Sequence, residues 1–162
     1  KCKKLQPDDL IKLHQDKTLL YSENFYSEWV KLRPDVKSFI TRARKANIKM
    51  AISTITSLRN VKLLIESIWE APINDIFDII VSEDEVMNKK PSPEVYLLTL
   101  KKLALNPESC LAIEDSENGL ILGKDAGIKT LVTPSFYSRN ENFSQADFIY
   151  DSLADCSLLD NT

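Results

Sequence analysis

The feature that most constrains this chain is an alternation of two periodicities. Short apolar runs at Ile48 to Thr54, Phe77 to Val81, Cys110 to Ile113 and Lys129 to Val132 read as buried strands, and Phe148 to Tyr150 is a candidate fifth. Between them lie stretches whose apolar residues recur at helical spacing: Leu58 to Trp69, the segment EVYLLTLKKLAL, and the segment from Ser116 to Ala126. Strands that alternate with helices of roughly 10 to 14 residues need right-handed crossovers, which predicts a parallel sheet covered on both faces. The expected class is therefore α/β, doubly wound. Ligands of such sheets bind beyond the carboxyl ends of the strands. That rule directs attention to Thr54, the loop around Lys90, and Glu114-Asp115.

Local signals set the expected boundaries. Asp35 is placed to cap a helix whose stripe is Val36, Phe39, Ile40 and Ala43. Ser92 and Pro93 supply an N-cap and a first-turn proline, Ser116 caps the helix that follows Asp115, and Gly127 ends it. Upstream, Asp8 to Trp29 contains neither Gly nor Pro and reads as one or two helices.

Composition narrows the function. A chain of 162 residues with 43% hydrophobic content buries one core of ordinary size. Its 21 basic and 24 acidic residues are spread along the chain, giving a net charge of −3 and no footprint for nucleic acid or an anionic membrane. A small soluble ligand is the default partner. Cys2, Cys110 and Cys156 are an odd number at wide spacings with no CxxC pair to suggest a zinc site or a disulfide framework, which favours a reducing compartment. No apolar run approaches the roughly 20 residues that span a bilayer, and no signal-peptide region follows KCKKLQPDDL. The expected location is the cytoplasm or a plastid stroma. Because the first residue is Lys1 rather than Met, the chain is expected to be part of a longer polypeptide.

Three places could carry chemistry, each with a plainer alternative. Glu114 and Asp115 stand where an apolar strand meets a helix; two adjacent acids there are costly unless a cation compensates them. Mg²⁺ suits, since it takes one or two carboxylates plus water and phosphate oxygens. Alternatively, Asp115 caps the helix and Glu114 is solvated. Lys90 precedes Pro91, which disfavours helix at the lysine and holds it in an extended loop, where it could neutralise a transferring phosphoryl group. Taken alone, a solvated surface lysine is the commoner explanation, since lysines are frequent at loop ends. Thr54, with Ile55, Thr56 and Ser57 after it, could bring a hydroxyl and successive backbone N–H groups onto a phosphate, or could simply lead into a helix cap at Thr56 or Ser57. The aromatic residues read as packing.

Taken in order, these segments resemble the haloacid dehalogenase superfamily, in its CbbY-like and beta-phosphoglucomutase branch. LRPDVKSFI, MAISTITSLRNV, KKPSPEVYLLTL and EDSENGLILGKDAGIKTLVTPS carry the resemblance, which runs from about residue 10 nearly to the end. It implies a Rossmann-like core over 31–162, with residues 1–30 as the last helix or helices of a helical cap domain. It further implies a Mg²⁺-dependent phosphatase acting on a sugar phosphate, such as a pentulose bisphosphate, through an aspartyl-phosphate. In that scheme Thr54, Ile55 and Thr56 hold phosphoryl oxygens and Lys90 balances charge. Asp115 and Glu114 hold Mg²⁺, and Lys17, with His14, touches the substrate. A lone histidine on an amphipathic helix is, however, more often packed or solvated than functional.

The sequence departs from the family at two points. It contains no DxDGT, the motif that supplies the attacking aspartate, and the family's strand for that motif lies mid-sheet between those bearing Thr54 and Glu114-Asp115. Losing that strand would leave unpaired edges. Asp35 also stands where the family usually has Gly. The competing functions are a phosphomutase of the beta-phosphoglucomutase type and an inactive fragment serving as a binding or regulatory module; the full-length form is expected to be a monomer.

Overall fold

The computed structural model of the chain describes residues 31–88 and 92–157, together with 9, 12 and 13. Asp9, Lys12 and Leu13 are helical; His14, Lys17 and Lys90 lie outside the described residues. Four helices are described, α1 (Val36–Lys45), α2 (Leu58–Trp69), α3 (Glu94–Leu103) and α4 (Glu117–Asp125). They alternate with strands β1 (Ala51–Ser53), β2 (Ile79–Val81), β3 (Leu111–Glu114) and β4 (Lys129–Val132), and β5 (Phe148–Ile149) follows. All the described ladders are parallel, with Ala51 opposite Ile79, Leu111 opposite Lys129 and Leu131 opposite Phe148. The α/β class expected from the alternation holds.

The sheet is divided. One part has the order β1-β2 and the other β3-β4-β5, and among the described residues no ladder joins β1 to β3. That break is where the family resemblance places a further strand. Helix α3 bridges it by packing on β1 and β2 and reaching the end of β3 through Tyr96. Beside the break, β3 buries Ala112 but leaves Leu111 37% and Ile113 39% exposed, more than a strand covered on both faces would show. β1 and β2 are shorter than their apolar runs, yet the pairing continues past them: the N–H of Asp78 donates to the Met50 carbonyl at 2.8 Å and that of Thr54 to the Val81 carbonyl at 2.9 Å.

The caps explain the boundaries. Ser57 accepts the Asn60 N–H at 3.4 Å to start α2, and Ser116 accepts the Gly119 N–H at 3.3 Å to start α4. Gly127 lies just past α4 with φ 76°, a left-handed conformation that glycine adopts without steric cost. Two caps differ from expectation. Helix α3 begins at Glu94, so Pro93 occupies the cap position instead of the first turn, and Ser92 accepts the Glu94 N–H at 3.3 Å. Asp35 has φ 67° and makes no side-chain cap bond to α1. A cap needs extended backbone to aim its carboxylate at the first helical N–H groups; left-handed Asp35 instead accepts from the Ser152 hydroxyl at 3.3 Å.

The core follows the layers. Val81, Val95, Leu100, Ala112, Leu122 and Ile128 pack between α3, α4 and the strands, while Val61, Ile65, Ile73 and Ile76 hold α2 against β1 and β2. Phe39 of α1 meets Leu131 and the buried, free Cys156. Arg33 ties the entry of the chain to the loop after β4, donating to the Thr133 carbonyl at 2.6 Å and the Pro134 carbonyl at 3.1 Å.

Candidate active site

Thr54 follows the last residue of β1. Its Oγ1 accepts the Thr56 N–H at 3.1 Å, which bends the loop and leaves the Thr54 hydroxyl hydrogen for an outside acceptor. Among the described residues nothing accepts the Ile55 N–H. The Thr56 N–H is spent inside the loop, so Thr56 has only its side chain to offer a ligand. The loop is tied to the one after β2, where the Asp84 carboxylate accepts the Leu58 N–H at 2.9 Å.

Glu114 ends β3, its carbonyl accepting the Thr133 N–H at 2.8 Å. Its Oε1 accepts from the Tyr96 hydroxyl. Burial first, and then the negative Glu114, raises the Tyr96 pKa well above the ordinary phenol value, so the hydroxyl remains a donor. The other oxygen, Oε2, lies against Gly119, where a Cβ would approach it to 1.9 Å, closer than real atoms come. Only glycine leaves room for the carboxylate in this position. Asp115 is exposed, and its backbone carbonyl accepts from the hydroxyl of Ser138, which is 4% exposed and also accepts the Ser135 N–H at 2.9 Å.

A cavity of about 140 Å³ between β1 and β3 is lined by Ser53, Thr54, Ile55, Tyr96 and Glu114, together with Val95 and Leu122. Donors for an anion and a carboxylate for a cation thus line one partly open volume. Thr56 and Asp115 are not part of its lining. The chemistry of the two acids suits a hard divalent cation: Glu114 and Asp115 could each offer carboxylate oxygens, and the Glu114 carboxylate occupies the space that the missing Gly119 side chain leaves. Among the described residues no third acid, histidine or cysteine joins them. They could supply only part of a coordination shell, which is the usual arrangement for Mg²⁺.

At the start of α3, Glu94 accepts the N–H groups of Met87 at 3.1 Å and Asn88 at 2.7 Å. These backbone bonds hold its carboxyl below the usual range. Sequence reasoning took Tyr96 for packing alone and passed over Gly119 and Ser138. The available signal was a tyrosine instead of a phenylalanine on a buried helix face, since a buried phenol needs a partner.

The family model described as haloacid dehalogenase-like hydrolase matches residues 3–133. Protein CbbY of Cereibacter sphaeroides is 40% identical over 149 residues, covering 92% of this chain and 65% of that protein. Protein CbbY of Rhodobacter capsulatus is 44% identical over 136 residues, covering 84% of this chain and 60% of its own length. The chain therefore spans about 60 to 65% of these relatives. A crystal structure of a CbbY variant from Rhodobacter sphaeroides in complex with xylulose-1,5-bisphosphate superposes with a TM-score of 0.89 at 38% identity, over 96% of this chain and 69% of that one.

Proposed function

The chain belongs to the haloacid dehalogenase-like hydrolases, in the CbbY-like branch, and from that premise we propose that it forms the core of a magnesium-dependent sugar-phosphate phosphatase. The observation that carries the proposal is the single cavity shared by Thr54, Ile55 and Glu114 at the carboxyl ends of β1 and β3. The substrate class is a pentulose bisphosphate, on the likeness to the CbbY structure crystallised with xylulose-1,5-bisphosphate.

In this reading the Thr54 hydroxyl and the Ile55 N–H, helped by the Thr56 side chain, bind phosphoryl oxygens and orient the phosphorus for attack. Lys90 neutralises the phosphoryl charge and keeps the attacking carboxylate ionised. Asp115 and Glu114 hold Mg²⁺, which when bound offsets negative charge on the transferring group. The attacking aspartate belongs to a DxDGT segment outside these residues, entering between β1 and β3. Residues 1–30 complete a cap that places Lys17 and His14 near the sugar or its distal phosphate. The working protein is a cytoplasmic or stromal monomer with no nucleic-acid partner.

The test uses the longer polypeptide that includes the DxDGT segment. Release of inorganic phosphate from a pentulose bisphosphate supports the phosphatase, whereas interconversion of a hexose 1-phosphate and 6-phosphate would make it a mutase. Turnover of neither leaves a binding module. Replacing Asp115→Asn should reduce Mg²⁺-dependent phosphate release by about 100-fold or more; unchanged turnover overturns the metal assignment.

A further inference from the structure

We infer that Tyr96 is a positioning residue that fixes the Glu114 carboxylate for the divalent cation, acting with the space left by Gly119. The inference rests on the metal reading above and adds a residue to it.

Both acids are held by their backbones, but their side chains differ. Glu114 is anchored by its place opposite Val132 in the β3–β4 ladder and by the Thr133 N–H, and Asp115 by the Ser138 hydroxyl on its carbonyl. The exposed Asp115 side chain can turn toward a ligand. The Glu114 side chain has three rotatable bonds and lies half-buried, so something must select its direction. Among the described residues, Tyr96 and Gly119 bear on that direction, one at each carboxylate oxygen. The Tyr96 hydroxyl, on a residue 8% exposed, holds Oε1. Gly119, in the first turn of α4, admits Oε2 where any larger residue would expel it.

A tyrosine here also brings α3 to the end of β3 across the divided sheet, so the phenol links the cation's carboxylate to the helix that faces the anion loop. Hydrogen-bond partners of metal ligands orient them, and their loss typically weakens metal affinity by about 10- to 100-fold. A phenol that merely satisfied its own burial would affect stability and leave metal affinity alone.

The measurement is Mn²⁺ binding followed by electron paramagnetic resonance, with Mg²⁺ competition, in the full-length protein. Tyr96→Phe is expected to weaken binding by about tenfold while affinity for inorganic phosphate without metal is unchanged. Gly119→Ala, which leaves the phenol intact, is expected to weaken metal binding similarly, and the double variant by less than the product. A tyrosine near-ultraviolet difference signal on adding Mg²⁺, absent in Tyr96→Phe, would be the direct signature. Asp115→Asn serves as the reference: if it loses Mn²⁺ binding while Tyr96→Phe, folded by circular dichroism, binds as the parent does, the inference is overturned. If Asp115→Asn itself binds normally, the metal reading falls and takes this inference with it.

Discussion

The Ser53 hydroxyl donates to Thr99 Oγ1 across 2.7 Å, and the direction is fixed because the Thr99 hydrogen is committed to the Val95 carbonyl at 2.8 Å. Thr99 lies one helical turn after Tyr96 on α3, so a single face of that helix holds the end of β1 through one hydroxyl and the end of β3 through the other. The two halves of the site are spaced by this helix, since no described ladder joins their strands.

Thr99→Val keeps the shape of a buried side chain and removes both bonds. It is expected to cost about 1 to 2 kcal/mol in urea unfolding, with Ser53 left holding an unmatched donor. Because Ser53 immediately precedes Thr54, phosphate affinity should fall in the same variant. A loss of stability with unchanged phosphate affinity would mean that the spacing of β1 is set elsewhere.

Gly123 on α4 packs so closely on the sheet that a Cβ would meet Thr130 Oγ1 at 2.5 Å. Gly→Ala within a helix ordinarily gains up to about 1 kcal/mol. Here the clash is with a fully buried threonine whose own hydroxyl is bonded to the Ile128 carbonyl. Overpacking, at about 1 to 3 kcal/mol, should therefore win, and Gly123→Ala is expected to unfold at lower urea. Adding Thr130→Ala should recover part of the loss, and strictly additive effects in the double variant would sink this account.

Asp147 accepts the Thr130 N–H at 2.7 Å and the Lys124 ammonium at 2.9 Å. The backbone bond first, then Lys124, holds its carboxyl below the usual range. A depressed folded pKa means that the stabilisation is present above the unfolded value of about 3.9 and is lost as pH falls through the folded one. The stability difference between the parent and Asp147→Asn should be flat from neutral pH down to about 5 and shrink below about 4. A difference that stayed constant to pH 3 would assign the effect to shape alone.

How far the sequence could be read depended on how local each cause was. Helix Leu58–Trp69 and strand Lys129–Val132 are legible to the residue, because Ser57 and Gly127 set their limits within a few positions. Asp35 misled for an equally local reason: its residue type favours a cap, but its backbone is left-handed. Glu114 and Thr54 could be picked out as strand-end residues, and one cavity does bring them together. The bonds that orient them, Tyr96 to Glu114, Ser138 to Asp115 and Ser53 to Thr99, span 18, 23 and 46 positions. No periodicity records contacts at that range. The hydroxyls involved sit in patterns that burial alone would explain.

The break between β1 and β3 also bears on how such a polypeptide fares in a crowded cell. Two parallel strand edges with no described neighbour, beside the exposed Leu111 and Ile113, form a template on which any passing extended segment can add. Until that template is covered, association with the wrong chain competes with correct assembly, and chaperones and proteases compete for the product. The abundance of these residues in vivo would then be governed less by the strength of their core than by how soon a strand fills the gap.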